Sequence, residues 1–125
     1  MSLPDPKQKG LAHLLASAGY SAGGLRRLTK EAAFRHEAIA AVALAIAYTV
    51  MDVTPAIRLA ASILFLVLIA MEAVNTAIEE IIDRISPEIS DTARYAKDLG
   101  SLAVFCMLSA NSILLLYGLI LQFGA

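Results

Sequence analysis

Residues 99–123 run for 25 positions without a charged side chain, interrupted only by Ser101, Ser109, Asn111, Ser112, two glycines and Gln122. A helix needs about 20 predominantly apolar residues to cross a hydrocarbon core of ~30 Å, and there the backbone must satisfy its own amides. The segment therefore commits the chain to at least one helix through a bilayer. The remainder agrees, because 125 residues that are 58% hydrophobic carry more apolar side chain than a soluble domain of this size can bury.

Two further spans are expected. Residues 38–51 are uncharged and Ala-rich and end at Asp52-Val-Thr-Pro55, so a first span over about 32–51 draws its opening turns from the polar stretch 31–37. The second span, about 56–85, is apolar in its first half and acidic in its second. It stops before Ser86-Pro87, where Ser86-Pro87-Glu88 and Ser90-Asp91 offer competing starts for the third span, about 97–123. Ahead of the spans, Leu11, Leu14, Leu15, Ala18, Leu25 and Leu28 recur near helical spacing with Arg26, Arg27 and Lys30 on other faces. That pattern predicts an amphipathic surface helix over about 11–30, with Gly19, Gly23 and Gly24 allowing a bend that divides it in two. Residues 1–10, with Pro4 and Pro6, read as a poorly ordered start, and the first thirty residues lack the apolar core and cleavage site of a secretory signal. The expectation is a single all-α integral membrane domain over residues 1–125, with one surface helix and three transmembrane helices.

Orientation follows from the basic residues. Lys7, Lys9, Arg26, Arg27, Lys30 and Arg35 precede the first span, Arg84, Arg94 and Lys97 lie between the second and third, and the remaining loop has only Arg58. The positive-inside rule then places the N-terminus and the 84–98 connection in the cytoplasm. A net charge of −1 and the lack of a long basic block exclude electrostatically driven nucleic-acid binding. The single Cys106 neither forms an internal disulfide nor supplies a metal cluster, and reads as a small packing residue. Asn111 reads as an interhelical hydrogen bond.

The acidic half of the second span carries the chemistry. At about 100° per residue, Glu72, Asn75, Glu79 and Asp83 fall within roughly 80° on one helical face. Carboxylates on a membrane helix cost about 2.5–3.5 kcal/mol each at its centre, so the stripe calls for a compensating partner or ion. It reads as a cation site and as a candidate catalytic one; the alternative is a solvated face on a helix that has already left the bilayer, paired with Arg84 and Lys97. Glu80, roughly 80° from Glu72, reads as solvated. Oxygen ligands at a membrane boundary suit Mg²⁺, which takes one or two carboxylates and completes its shell with water and phosphate. Phosphoryl transfer would then need a base and a positive charge, which a carboxylate and Lys97 can supply. The chain has no P-loop, no protein-kinase motif and no zinc-protease motif, so any such chemistry is of another kind.

The stretch Glu72-Ala-Val-Asn-Thr-Ala-Ile-Glu-Glu-Ile-Ile-Asp83 closely resembles the signature of the small bacterial diacylglycerol kinase family. Ala18-Gly-Tyr-Ser21, Glu31-Ala-Ala-Phe-Arg-His-Glu37 and Ala96-Lys-Asp-Leu-Gly-Ser101 resemble further family blocks in the same order. The resemblance implies a homotrimer in the bacterial inner membrane, with sites shared between subunits. It also implies ATP and Mg²⁺ as cosubstrate and cofactor, diacylglycerol as substrate and phosphatidic acid as product. By the same resemblance Glu72 is the general base, Glu31 and Glu79 bind the metal, and Tyr20, Glu31, Glu79, Glu88, Lys97 and Asp98 contact nucleotide. Ala18, Gly19, Ser21, Ala33, Phe34, Arg35, Glu37, Glu72 and Asn75 contact lipid, with Asp83 in support.

This chain departs from the family pattern in four places. The segment between Tyr20 and Glu31 is one residue shorter, His13 stands where Arg is common, His36 where Gln is common, and Arg94-Tyr95 where Gly-Arg is usual. Two rival functions stay open at this point: an undecaprenol kinase within the same family, and a small oligomeric ion carrier or membrane scaffold. Lys97 beside Asp98 disfavours a simple cation path.

Overall fold

The computed structural model describes residues 9–86, 88 and 90–124 as four helices joined by short turns. The expectations for residues 1–8 and for Pro87 lie outside the described residues. Helix α1 covers Leu11–Leu28, α2 Ala32–Val50, α3 Pro55–Ile85 and α4 Asp91–Phe123, and the last three are long and apolar enough to cross a membrane. At 1.5 Å per residue α3 extends about 46 Å and α4 about 50 Å, so each overruns a ~30 Å hydrocarbon core by several turns.

Helix α1 is continuous through Gly19, Gly23 and Gly24, without the expected bend. It closes tightly: Thr29, Lys30 and Glu31 donate their amides to Leu25, Arg27 and Leu28, satisfying carbonyls that the helix end would otherwise leave open. Between α2 and α3 the chain turns over four residues. Thr54 caps α3, its hydroxyl accepting from the Ile57 amide, and Pro55 occupies the first helical position, where its missing N–H costs nothing. Of the two competing starts for the last helix, Ser90 prevails: its hydroxyl accepts from the Ala93 amide at 3.1 Å, while Ser86 ends α3. Helix α4 therefore begins at Asp91, nearly two turns before the expected span.

Packing is uneven. Helix α3 lies along α4 for most of its length, and α1 and α2 each touch α3 only lightly. Asn111 joins the long pair, donating to the carbonyls of Leu64 on α3 and Met107 on α4. At the α2–α3 turn Tyr48, Met51, Val53 and Ile57 form a buried cluster against Leu114 and Leu115. Gly118 makes room for it, since a Cβ there would lie 3.3 Å from Met51 Cε. Arg58, in the first turn of α3, donates to the carbonyls of Tyr48 and Met51, so it caps the end of α2. The Asp52 amide donates to Gln122 at 2.8 Å and ties the same turn to the end of α4.

Most apolar surface stays uncovered. Among the described residues nine hydrophobic side chains are buried, while twenty-seven large ones are exposed, on all four helices. Cys106 belongs to this exposed set rather than to the packing, because it lies on a face of α4 that no neighbouring helix covers. The chain is a membrane protein whose outer surface is suited to lipid or to other protein.

These contacts rank two substitutions. Arg58→Met strips two carbonyls of a charged donor and should destabilise the fold by about 1.5–3 kcal/mol, whereas Asn111→Leu should cost only about 0.6 kcal/mol. Reversible unfolding in mixed micelles against denaturing detergent would measure both.

Candidate active site

The inward stripe of α3 is continuous from membrane to boundary. Ile57 and Leu68 are buried along it, and the next members are Glu72, 5% exposed, and Thr76, 8% exposed. The face that packs α3 in the hydrocarbon therefore also carries the acids, and the Glu72 carboxylate is shielded by its own fold rather than solvated. Glu37 on α2 lies beside Glu72, carboxyl against carboxyl. Two carboxylates so placed repel each other unless something of opposite charge comes between them.

One turn beyond Glu72, Asn75 donates its amide nitrogen to Glu79 Oε1 at 3.3 Å. Its own Oδ1 is buried and has no hydrogen-bond partner. That oxygen lies against Gly100 of α4, where a Cβ would overlap it and would come within 3.3 Å of Asn75 Cγ. Gly100 thus lets the two helices approach at the level of the acids. The amide is oriented by its neighbours: with the nitrogen turned to Glu79, the oxygen can only face the glycine.

Further along, Lys97 on α4 donates to Asp83 on α3 at 2.5 Å. Arg27, near the end of α1, donates to Glu31 at 2.8 Å and also pairs with Glu80. Hydrogen bonds to Glu31 and then Glu80 raise the Arg27 pKa. Glu80 is exposed, as expected, and from that position anchors this guanidinium to α3. Nothing in residue spacing pairs position 27 with position 80, so the sequence reading missed Arg27; the signal that existed was a basic residue one helical turn before Glu31. Glu88 is exposed in the turn between α3 and α4. Its own backbone amide, and then the Ser86 hydroxyl at 2.9 Å, hold its carboxyl below the usual range.

The other expected contact residues are spread over α1, α2 and α4. Ala18, Gly19, Tyr20 and Ser21 lie on α1, with Tyr20 half-buried; Phe34 is buried on α2 between exposed Ala33 and Arg35; Asp98 is exposed at the start of α4. Among the described residues no three His, Cys, Asp or Glu side chains converge as a metal cluster. Mg²⁺ does not require one, since one or two carboxylates with phosphate and water suffice, and Glu31 and Glu79 are hard oxygen donors of the right kind.

Beneath the Glu37–Glu72 pair runs an apolar groove of about 630 Å³ between α2 and α3. Phe34 and Ala38 line it on α2, and Phe65 and Ile69 on α3. Phe34 is one turn from Glu37 and Ile69 one turn from Glu72, so the two carboxyl groups lie one helical turn beyond the lining of this slot.

Fold and site define a class: a small three-span membrane protein whose acidic and basic side chains gather at one end of its helices beside an apolar groove. The model of the prokaryotic diacylglycerol kinase family matches residues 19–120. The chain is 53% identical to the diacylglycerol kinase of Sinorhizobium sp over 114 residues, 91% of this chain and 83% of that protein. Similarity extends to the diacylglycerol kinases of Haemophilus influenzae, 38% over 104 residues (82% and 87%), and Pseudomonas aeruginosa, 35% over 111 residues (88% and 90%). The chain belongs to the prokaryotic diacylglycerol kinase family. Diacylglycerol kinase is the activity this membership supports, and neither undecaprenol kinase nor an ion carrier or scaffold is favoured.

The Asn75–Gly100 contact yields a test. Gly100→Ala forces the Asn75 amide to move and should destabilise the protein by about 1–3 kcal/mol while lowering kinase turnover. Gly118→Ala, whose neighbour is the flexible end of Met51, should be milder in the same unfolding assay and leave turnover near wild type.

Proposed function

We propose that this protein transfers the γ-phosphoryl group of Mg·ATP to the primary hydroxyl of diacylglycerol at the cytoplasmic face of a bacterial inner membrane. The observation that carries the reading is the buried Glu72, one helical turn beyond Ile69 in the lining of the apolar groove. A substrate with acyl chains in that groove presents its headgroup hydroxyl at the height of the carboxyl pair. Glu72 then takes the hydroxyl proton as the lipid oxygen bonds to the γ-phosphorus, and the bond from that phosphorus to the β–γ bridging oxygen breaks, releasing ADP. Asn75 orients the acids, and Ala18, Gly19, Ser21, Ala33, Phe34, Arg35 and Glu37 form the lipid approach.

Glu31 and Glu79 would hold Mg²⁺, which when bound offsets charge on the ATP phosphates. Lys97 leaves Asp83 for a phosphate oxygen, with Asp83 keeping the lysine in reach until then, and Tyr20, Glu88 and Asp98 contact the nucleotide. Family membership and the basic residues before α2 and after α3 support an N-terminus in the cytoplasm, with α1 lying as an amphipathic helix on the surface. A homotrimer fits the apolar surface that one chain leaves exposed, and sites shared between subunits would complete the metal and nucleotide shell that one chain supplies only in part.

The test follows labelled γ-phosphate into lipid in detergent micelles. Wild type should form phosphatidic acid and act on diacylglycerol in preference to undecaprenol. Glu72→Gln should stay folded and oligomeric but lose about 10²–10⁴-fold in turnover. Full activity in that variant would remove the base assignment, and a preference for undecaprenol would move the substrate. Glu31→Gln and Glu79→Gln should each raise the Mg²⁺ requirement or abolish activity, and an unchanged Mg²⁺ titration would refute the metal role.

A further inference from the structure

Three elements that carry the proposed chemistry meet at one side chain. Arg27 donates through Nη1 to Glu31 Oε1 at 2.8 Å, and its Nε and Nη2 both face Glu80 Oε1. Glu31 is the N-cap residue of α2, with extended backbone angles of −79° and 127°, yet its side chain makes no cap hydrogen bond. Its side chain is longer than those of the usual capping residues, and its carboxylate points to the guanidinium rather than to the helix amides. Glu80 is the residue after Glu79 on α3. The one buried side chain of α1, Leu28, 2% exposed, follows Arg27 directly and closes the same junction.

We propose that Arg27 is a positioning residue for Glu31: gripping Glu80 on α3 and Glu31 at the start of α2, it sets how far the Glu31 carboxylate stands from Glu79. The proposal rests on the metal role given to Glu31 above. Only a planar guanidinium presents donors to two carboxylates in a fixed fork; an ammonium at the same place is a point charge on a flexible stem. The side chains of Arg27, Glu31 and Glu80 are 40%, 36% and 54% exposed, so water screens the pairs and they add little to stability. Geometry is what the bridge supplies. It holds the α1–α2 turn against α3 at the two positions that precede and adjoin the metal-binding acids.

Arg27→Ala, Arg27→Lys, Glu80→Gln and Glu31→Gln would be compared in the full-length protein in micelles. Kinase assays would give the half-saturating Mg²⁺ and the turnover at saturating Mg²⁺, and paramagnetic resonance would measure Mn²⁺ affinity in the presence of ATP. Separate manganese-free samples would carry a spin label at Ala22→Cys on a Cys106→Ser background, to report the mobility of α1. Arg27→Ala should raise half-saturating Mg²⁺ and weaken Mn²⁺ binding about three- to fivefold, as expected for a half-exposed ion pair. Turnover at saturating metal should change less, and the α1 label should become more mobile. Arg27→Lys should recover only part of the metal affinity, and Glu80→Gln should move in the same direction as Arg27→Ala. Wild-type metal affinity in Arg27→Ala, beside a shifted Glu31→Gln, would overturn the positioning role and leave the metal role of Glu31 standing. Wild-type affinity in both variants would overturn the Glu31 assignment itself, and the positioning role with it.

Discussion

Placing carboxylates on a helix that also crosses hydrocarbon is the constraint on which the rest of this structure turns. Exposed to lipid, each would cost several kcal/mol, so the acids must face inward or lie beyond the apolar core. Helix α3 meets the first condition by using one stripe throughout: Ile57 and Leu68 pack in the membrane, and Glu72 and Thr76 continue the line at its boundary. The partner surface has to admit polar groups there, and Gly100 on α4 does so by offering no side chain where Asn75 lies. Asn75 leaves one buried oxygen unpaired to keep its nitrogen on Glu79. A buried unpaired carbonyl costs about 1–3 kcal/mol, which marks this as a place where orientation was favoured over stability.

The two ends of the molecule solve opposite problems. At the α2–α3 turn, Tyr48, Met51, Val53 and Ile57 close the bundle, and Arg58 places its charge on two backbone carbonyls, which lets the single basic residue of that loop sit beside an apolar cluster. At the other end the helices are held by side-chain charges and stay open, because that end must admit a nucleotide and a lipid headgroup in the proposed reaction. The groove between α2 and α3 runs between the two regimes, largely apolar along its walls, with Glu37 and Glu72 one helical turn beyond its lining residues Phe34 and Ile69.

Much of this architecture was legible in the sequence because hydrocarbon leaves few choices. Apolar runs and the punctuation at Pro55 and Ser86 lead to the bounds of α2 and α3 within a residue or two, whereas α4 starts six residues before the span its charge-free run predicts; the face shared by Glu72, Asn75 and Glu79 follows from helical periodicity alone. Asn111 makes the expected interhelical hydrogen bond. What periodicity cannot give is pairing between helices. The sequence offers Glu80 as a solvated acid and Arg27 as one of several surface bases, and only the way the α1–α2 turn folds back on α3 brings them together. Nor is the choice between two neighbouring caps a matter of residue type, since Ser86 and Ser90 are chemically alike; it is decided by which turn lets α4 lie along α3.

Three cations at the open end share one further property: each already has an acid of its own. Arg27 holds Glu31 and Glu80, Lys97 holds Asp83 and Arg94 holds Asp91. Each pair is exposed enough that breaking it costs under about 1 kcal/mol, far less than a buried pair would. A phosphate, which carries more charge and more acceptor oxygens than one carboxylate, can displace such a partner without disturbing the helices that carry it. The buried Glu72 is the opposite case, shielded by packing and without a basic partner among the ion pairs of the described residues. Under the proposed roles, the separation matches what phosphoryl transfer asks of a site, with exchangeable positive charge towards the water and Glu72 as a sequestered base towards the lipid.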